Sequence, residues 1–209
     1  MKHIRFYLDF ISPFAYLAFE KMPEMLMGHS YQVSYQPLLF AGLLKHHGQL
    51  GPAEIPAKRD WTYRQVLWLA QAQGTPLQLP QPHPFNPLAL LRLSLACGAP
   101  EQPNRYVCEA VFRHVWQGGL EATDPVRLQA LTQQLHPVRQ PEGDEVKARL
   151  KANTAEAIER GVFGAPTFDV DGKLFWGQDA LPMLQAYLAG DAWFDSGWSA
   201  ADQVGVFTR

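Results

Sequence analysis

Thiols are scarce in this sequence. The two cysteines, Cys97 and Cys108, lie eleven positions apart, which matches neither a C-x-x-C redox motif nor a zinc-binding spacing. Both fall in apolar segments with a helical pattern, so we expect buried free thiols. His46 and His47 are adjacent, but no third metal ligand follows them at a recognisable spacing. No metal site is expected.

Excess charge and long apolar runs are also missing. The net charge is −2 and no run of like charges occurs, which argues against nucleic acid or a membrane surface as the partner. No apolar stretch approaches the ~20 residues of a membrane span, and the segment Met1–Arg5 lacks the core of a signal peptide. We therefore expect a cytoplasmic protein. Its 209 residues, 47% hydrophobic and 18% charged, are enough for a sizeable core without disulfides.

The stretch Asp9–Tyr16 (DFISPFAY) joins a predicted strand to a predicted helix. The apolar run Ile4–Leu8 is typical of a strand, and a helical pattern covers 14–27. Between them, Ser12 and Pro13 are residue types preferred at the N-cap and the first position of a helix. A helix start has unpaired N–H groups and the positive end of the helix dipole, so it favours an anion such as phosphate, carboxylate or thiolate. The alternative is that Ser12 only caps the helix.

The two ends of the chain have α/β patterns, whereas the middle is helical. Residues 3–9, 13–27 and 31–35 predict a strand, a helix and a strand, a βαβ unit with parallel pairing. Near the other end, Asp171-Gly172 marks a hairpin between short strands, and a helix is predicted over 180–188. Between these units, helices are predicted over 60–73, 86–96, 104–117, 124–135 and 144–160.

A βαβ start and a ββα end, separated by helices, are typical of one fold class. We predict an α/β protein with a thioredoxin-like fold and a large all-helical insertion domain. The thioredoxin-like domain would comprise 1–37 and 153–190, the insertion 38–152, and a C-terminal tail 191–209. We expect the tail to dock on the body or on a partner, because it contains four large aromatic residues: Trp193, Phe194, Trp198 and Phe207.

Four segments together resemble one known family. They are 9–16 (DFISPFAY), 153–157 (NTAEA), 161–167 (GVFGAPT) and 175–179 (FWGQD). This combination is similar to the 2-hydroxychromene-2-carboxylate isomerase family, whose relatives are kappa-class glutathione transferases and DsbA-like thiol oxidoreductases. The resemblance covers nearly the whole chain, including the helical insertion.

The resemblance implies a borrowed thiol. The window that holds C-x-x-C in thiol oxidoreductases is Ser12-Pro13-Phe14-Ala15 here, so this protein has no attacking sulfur for disulfide exchange at that window. The family's thiol is glutathione. Ser12 would donate a hydrogen bond to its thiolate rather than act as a covalent nucleophile, because its motif contains no histidine base. Phe14 belongs to the same implied glutathione site.

The resemblance assigns further glutathione contacts near the C-terminus. Ala165-Pro166 matches the family's cis-proline loop, where the Ala165 backbone would bind the cysteinyl unit; an ordinary trans proline is the alternative. The implied contacts to the γ-glutamyl end are Trp176, Gly177, Gln178 and Asp179. Asp179 would pair with the ammonium group of glutathione, unless it is simply an N-cap.

Substrate residues follow less directly from the resemblance. Lys58 and Arg59 fall where the family has basic residues that suit a carboxylate, although a solvated helix start explains them equally well. Glu54 stands where the family often has an amide, which leaves the substrate open. An aromatic slot would be lined by Phe10, Phe40, Trp61, Phe85 and Asn86, unless the large apolar members are plain core.

The resemblance implies a glutathione-dependent isomerase of an aromatic acid, in aromatic compound catabolism, and a homodimer. Two other functions stay open at this point. One is a glutathione transferase or peroxidase like the kappa class. The other is a non-catalytic thioredoxin-like binding protein, which the absence of a redox cysteine pair allows.

Overall fold

A four-stranded mixed sheet lies at the centre of the protein. The computed structural model describes residues 1–98 and 102–205. The strands are β1 (Lys2–Leu8), β2 (Tyr31–Pro37), β3 (Thr167–Val170) and β4 (Lys173–Trp176). Their order across the sheet is β2-β1-β3-β4. β1 pairs with β2 in parallel, from Lys2↔Tyr31 to Leu8↔Pro37, and β3 pairs antiparallel with both β1 and β4. The predicted βαβ and hairpin units are confirmed.

Helices surround the sheet and fill the chain between β2 and β3. They are α1 (Pro13–Met25), α2 (Phe40–His46), α3 (Pro56–Gln73), α4 (Leu88–Cys97), α5 (Arg105–Trp116), α6 (Pro125–Leu135), α7 (Asp144–Glu159), α8 (Leu181–Ala189) and α9 (Trp193–Ala200). The sequence did not predict α2 or α9. It also placed the start of α3 at Asp60; the helix begins four residues earlier because Pro56 suits a first helical position. No helix within the described ranges is long and apolar enough to cross a membrane.

Side chains of β1 alternate between two cores, as the two-residue period of a strand requires. Ile4, Phe6 and Leu8 are fully buried in the larger core. Tyr7 points the other way, into a smaller core with residues of α2 and α7. Burial raises the pKa of Tyr7 to about 12. The sheet is therefore covered on both faces, and the carboxyl end of β1 lies between the two cores.

An aromatic cluster joins the first helix to the helical region. The ring of Phe112 in α5 lies 4.9 Å from Phe10 and 5.1 Å from Phe19, measured between centroids. Trp116 of the same helix stacks on Tyr16 at 6.4 Å. All of these side chains are fully buried, so α5 fixes the position of α1 and of the loop before it.

The aromatic residues after α8 contact the end of the sheet. Phe194 and Trp198 lie 6.1 and 5.4 Å from Phe175 of β4 between ring centroids. Trp193 is half exposed, and Phe207 lies outside the described residues. The division into domains at 37/38, 152/153 and 190/191 stays a prediction.

Candidate functional site

Ser12 occupies the junction between β1 and α1, as predicted. It is the N-cap of α1, and Pro13 is the first helical residue. Its hydroxyl oxygen accepts a hydrogen bond from the Ala15 N–H at 3.2 Å and donates one to the Ala165 carbonyl at 3.1 Å. The side chain is 7% exposed. The second contact was not foreseen, and it joins the helix start to a loop 153 positions away.

That loop contains the cis peptide bond Ala165-Pro166, as predicted. β3 begins directly after it, and the Thr167 hydroxyl donates to the Gly164 carbonyl at 2.8 Å. The Gly177 N–H donates to the Pro166 carbonyl at 2.9 Å. The structure therefore brings the predicted residues Ser12, Ala165, Pro166 and Gly177 into one continuous arrangement.

Two backbone donors at this arrangement are unused. Within the residues that the structure describes, neither the Ala165 N–H nor the Phe14 N–H has a hydrogen-bond acceptor. Phe14 is the second residue of α1, where an N–H has no partner inside the helix. The half-buried Phe14 side chain packs against the core. The Ser12–Ala165 hydrogen bond thus joins two segments that each have an unpaired amide, and one of these segments is the positive end of a helix, an environment that favours an anion.

The end of β4 and the segment after it lie beside the cis-proline loop. Trp176 is 55% exposed and packs against Phe163, with 4.8 Å between the ring centroids. Close approach of its indole nitrogen requires glycine at 164, where an added Cβ would lie 2.3 Å away. Gly177 has φ +97° and leads into a 3₁₀ turn, Gln178–Ala180.

This turn has an exposed carboxylate. The Asp179 side chain is exposed and turns back toward Gly177, where an added Cβ would lie 2.3 Å from its Oδ1. The alternative role of Asp179 as an N-cap of α8 is not seen, because Ala180 holds that position. The 3₁₀ turn Gln178–Ala180 packs against α1, so Asp179 lies on the Ser12 side of the sheet.

Asp9 holds the loop before Ser12 in place through hydrogen bonds of its carboxylate and its backbone carbonyl. Its carboxylate accepts hydrogen bonds from the Ile11 N–H at 3.1 Å and from the Phe40 N–H at 2.9 Å. The Ser12 N–H donates to the Asp9 backbone carbonyl at 3.0 Å. Asp9 is fully buried, and this burial raises its pKa to about 7 although the backbone hydrogen bonds act in the opposite direction. The contact to Phe40 ties the loop to α2.

Two side chains of the helical region hold the same loop from the other side. The Trp116 indole donates to the Phe10 carbonyl at 3.0 Å, and His83 Nε2 lies 2.9 Å from the Ile11 carbonyl. Because a carbonyl only accepts, His83 Nε2 carries the hydrogen. Sequence reasoning missed both contacts. His83 lies in a proline-rich segment read as loop, and nothing local to it points to a carbonyl 72 positions earlier.

The predicted substrate residues are placed in three ways. Lys58, Arg59 and Trp61 lie in the first turns of α3, and Trp61 is 64% exposed. Asn86 is exposed in the loop before α4, where its side-chain oxygen Oδ1 accepts a hydrogen bond from the Leu88 N–H at 3.1 Å. Phe10 is fully buried against α5, which corresponds to its alternative reading as core.

The remaining candidates have local contacts. The Glu54 carboxylate accepts a hydrogen bond from the Gly51 N–H and closes a 3₁₀ turn. Phe40 and Phe85 are half buried at the edges of the two cores. Among the residues described, no group of three or more histidine, cysteine, aspartate or glutamate side chains is placed to hold a metal ion.

Comparison with known proteins identifies the family to which this chain belongs. Residues 3–189 match the family model of the DSBA-like thioredoxin domain. The chain therefore belongs to the DsbA-like thioredoxin domain family, and its predicted thioredoxin-like α/β fold is confirmed.

Individual relatives show which proteins of this class the chain is similar to. The chain is 30% identical to a 2-hydroxychromene-2-carboxylate isomerase of Sphingobium xenophagum, over 90% of this chain and 98% of that protein. It is 28% identical to glutathione S-transferase kappa 2 of Caenorhabditis elegans, over 90% of this chain and 92% of that one. A solved 2-hydroxychromene-2-carboxylate isomerase has the same fold, with a TM-score of 0.79, 24% identity and coverage of 94% and 99%. The predicted relationship to these isomerases is confirmed, and with it the prediction of an isomerase-like enzyme.

Proposed function

We propose that the protein is a glutathione-dependent isomerase that interconverts 2-hydroxychromene-2-carboxylate and trans-o-hydroxybenzylidenepyruvate, or a related aromatic acid. The observation that carries this proposal is the arrangement at Ser12. The Ser12 hydroxyl caps a helix start and bonds to the Ala165 carbonyl of the cis-proline loop, and each of the two segments has an unpaired amide. Relatives named for the isomerisation and for glutathione transfer match this chain in sequence over 90% of its length.

Glutathione fits the site by replacing one internal hydrogen bond. In the free protein the Ser12 hydroxyl and the Ala165 carbonyl bond to each other at 3.1 Å. The cysteinyl unit of glutathione has one N–H and one C=O, so it pairs with the Ala165 carbonyl and with the unused Ala165 N–H as an added strand does. The Ser12 hydroxyl is then released to donate to the sulfur. The exposed Asp179 carboxylate, in a turn that packs against α1, would pair with the γ-glutamyl ammonium group.

This environment lowers the pKa of the bound thiol. A free thiol has a pKa near ~8.5, and a helix N-terminus together with a hydrogen-bond donor lowers it by about one unit or more. One unit corresponds to about 1.4 kcal/mol. At pH 7 this raises the thiolate fraction of the borrowed sulfur from about 3% to about a quarter or more, and the thiolate is the nucleophile.

The thiolate makes the isomerisation possible through a reversible addition. It forms a C–S bond to the conjugated alkene of the ring-opened acid, and the π electron pair moves onto the ketone oxygen as an enolate. The former double bond is now single and rotates. The enolate then re-forms the alkene and expels the thiolate, so glutathione is not consumed. In the cis alkene the phenol oxygen adds to the ketone carbon and its proton passes to the ketone oxygen, which closes the ring of 2-hydroxychromene-2-carboxylate; the reverse step opens it. Lys58 and Arg59 at the start of α3 supply positive charge for the substrate carboxylate.

Glutathione dependence tests the proposal directly. Saturation at about 100 times the dissociation constant stabilises a protein by about 2.7 kcal/mol, so the melting temperature should rise by about 5–10 °C for a chain of this length. Isomerisation of the aromatic acid, followed by absorbance, should require glutathione in catalytic amounts only. No rise in melting temperature with glutathione would favour a non-catalytic binding protein.

A kappa-like transferase or peroxidase is the second candidate function. The transferase relative, 28% identical, supports it, and the same thiolate site serves both reactions. Stoichiometric loss of glutathione into a conjugate with a chlorinated arene would favour transfer over isomerisation. A role in aromatic compound catabolism, a cytoplasmic location and a homodimer stay predictions within either proposal.

A further inference from the structure

Both ends of the peptide unit between Ile11 and Ser12 are held by hydrogen bonds. Its carbonyl, that of Ile11, accepts from His83 Nε2 at 2.9 Å, and its N–H, that of Ser12, donates to the Asp9 carbonyl at 3.0 Å. These two bonds fix the plane of the peptide. Ser12 has φ −88° and ψ 114°, and the direction of its Cα–Cβ bond follows from that plane. The aim of the Ser12 hydroxyl therefore depends on His83.

His83 is held in turn by Tyr63 of α3. The Tyr63 hydroxyl lies 2.7 Å from His83 Nδ1 and 2.9 Å from the His83 carbonyl. The single hydroxyl hydrogen of Tyr63 has both acceptors, the His83 carbonyl and Nδ1, within reach and is shared between them. With the hydrogen of the neutral ring on Nε2, Nδ1 accepts part of this donation, so the hydroxyl favours the tautomer that serves Ile11. The imidazole also packs against Trp116 and Phe85, at 5.4 and 6.0 Å between centroids.

The surroundings of the pair favour the neutral ring. Burial lowers the pKa of His83, although its hydrogen bond to Ile11 acts in the opposite direction. The charged groups that act on Tyr63 are Arg59 and Asp60, both on α3. Arg59 is a predicted substrate residue. The chain of contacts therefore runs from the start of α3, through Tyr63 and His83, to the peptide that carries Ser12.

We propose that His83 is a positioning residue for catalysis, which aims the Ser12 hydroxyl at the bound thiol by holding the Ile11 carbonyl, with Tyr63 selecting its tautomer. The proposal rests on the proposed function of the Ser12 site. It goes further, since it makes the helical region part of the thiol-activating machinery. His83 acts through the peptide plane and does not itself touch the thiol.

Three substitutions test the proposal. His83→Phe keeps a ring against Trp116 but removes the donor, His83→Gln retains an amide donor at similar reach, and Tyr63→Phe removes the hydroxyl that selects the tautomer. His114→Phe is the matched control. His114 is also partly buried, its Nε2 also lies 2.9 Å from a backbone carbonyl, that of Ala122, and burial also lowers its pKa. Among the described residues, its hydrogen bonds go to Ala122 and Arg127 and not to the Ser12 loop.

The informative readout is the pH profile, which a purely structural role does not move. In His83→Phe we expect the midpoint for ionisation of bound glutathione to rise by about one unit, with turnover at pH 7 falling about tenfold and recovering at alkaline pH. His83→Gln should restore most of the loss, and Tyr63→Phe should shift the midpoint in the same direction by less. Affinity for S-methylglutathione, which has no ionisable thiol, should stay within about twofold. His114→Phe should match the wild type.

The outcomes separate this proposal from the function it rests on. If the wild type itself does not shift the ionisation of glutathione, the proposed function fails. If the wild type does, and His83→Phe and Tyr63→Phe titrate like it, the positioning role of His83 is refuted. Should His83→Phe not fold, His83→Gln and Tyr63→Phe decide. A Gln variant as impaired as complete loss of the donor, or a Tyr63→Phe midpoint equal to that of the wild type, contradicts the proposal.

Discussion

Replacement of Ser12 by alanine separates what this serine does for the fold from what it does for the thiol. The substitution removes the N-cap acceptor of the Ala15 N–H and the donor to the Ala165 carbonyl. An N-cap contributes about 1 kcal/mol, and one intramolecular hydrogen bond contributes about 1 kcal/mol net. The free energy of unfolding should therefore fall by about 2 kcal/mol, which lowers the melting temperature by about 4–8 °C for this length. The fold survives this loss.

We expect the loss of the Ser12 hydroxyl to have a larger effect on activity, through the ionisation of bound glutathione, than on stability. A hydrogen bond to a charged group contributes about 1.5–3 kcal/mol, which corresponds to about one to two pKa units. Without the Ser12 hydroxyl, bound glutathione should ionise much closer to the ~8.5 of a free thiol. At pH 7 the thiolate fraction, and with it turnover, should fall about eight- to 25-fold as a midpoint one to two units lower returns to ~8.5.

The assay compares turnover with stability in two alanine variants. Isomerisation with saturating glutathione gives turnover across pH, and thermal unfolding gives stability. Ser94→Ala is the control, because Ser94 is fully buried in α4 and its hydroxyl donates to the Leu91 carbonyl at 2.8 Å, away from the site. It should lose stability but keep turnover. A Ser12→Ala enzyme with wild-type turnover at pH 7 would refute the role assigned to this hydroxyl.

Three further predictions concern the same site. Ser12→Cys should create a thiol whose reaction with iodoacetamide has a pH midpoint about one unit or more below ~8.5. The two native thiols should react little, because burial raises the pKa of Cys97 to about 11 and that of Cys108 further. A midpoint at ~8.5 would argue against an activating helix start. Folding raises the pKa of Asp9 from 3.8 to about 7. Between these pH values the folded state keeps a proton that the unfolded state has lost. The free energy of unfolding therefore falls, by up to about 4 kcal/mol in total, as the pH rises through this range. Asp9→Asn should flatten this part of the pH–stability curve measured by denaturant unfolding, and an unchanged slope would contradict the assignment. Arg59→Gln should raise KM for the carboxylate substrate about tenfold without changing glutathione binding; an unchanged KM would remove Arg59 from the substrate site.

Local sequence signals were sufficient to locate the helix start. Serine before proline, at the end of an apolar run, fixes both the cap and the first turn of α1 through short-range chemistry. The Asp171-Gly172 hairpin followed from residue types for the same reason: Asp171 and Gly172 both have positive φ there. The resemblance to the isomerase family, rather than periodicity, assigned Ala165 and Ser12 to one glutathione site.

Contacts between distant segments were beyond local pattern. The Ser12 hydroxyl meets the Ala165 carbonyl only after β3 has paired with β1. His83 meets the Ile11 carbonyl and Trp116 meets the Phe10 carbonyl only after the helical region has folded onto α1. A donor that serves a backbone carbonyl leaves no mark at the acceptor position, because any residue type supplies the same carbonyl. The helix α9 was missed for a related reason, since its aromatic side chains pack on β4 rather than following a strong local pattern.

The measurement that bears most directly on the borrowed thiol is the ionisation of glutathione on the protein. Thiolate absorbance in the ultraviolet, recorded across pH with the protein in excess over the tripeptide, reports its midpoint. We predict a midpoint about one unit or more below that of glutathione in buffer, and a return toward the buffer value in Ser12→Ala. A wild-type midpoint equal to that in buffer would contradict the account, whatever the similarity of the fold to known isomerases.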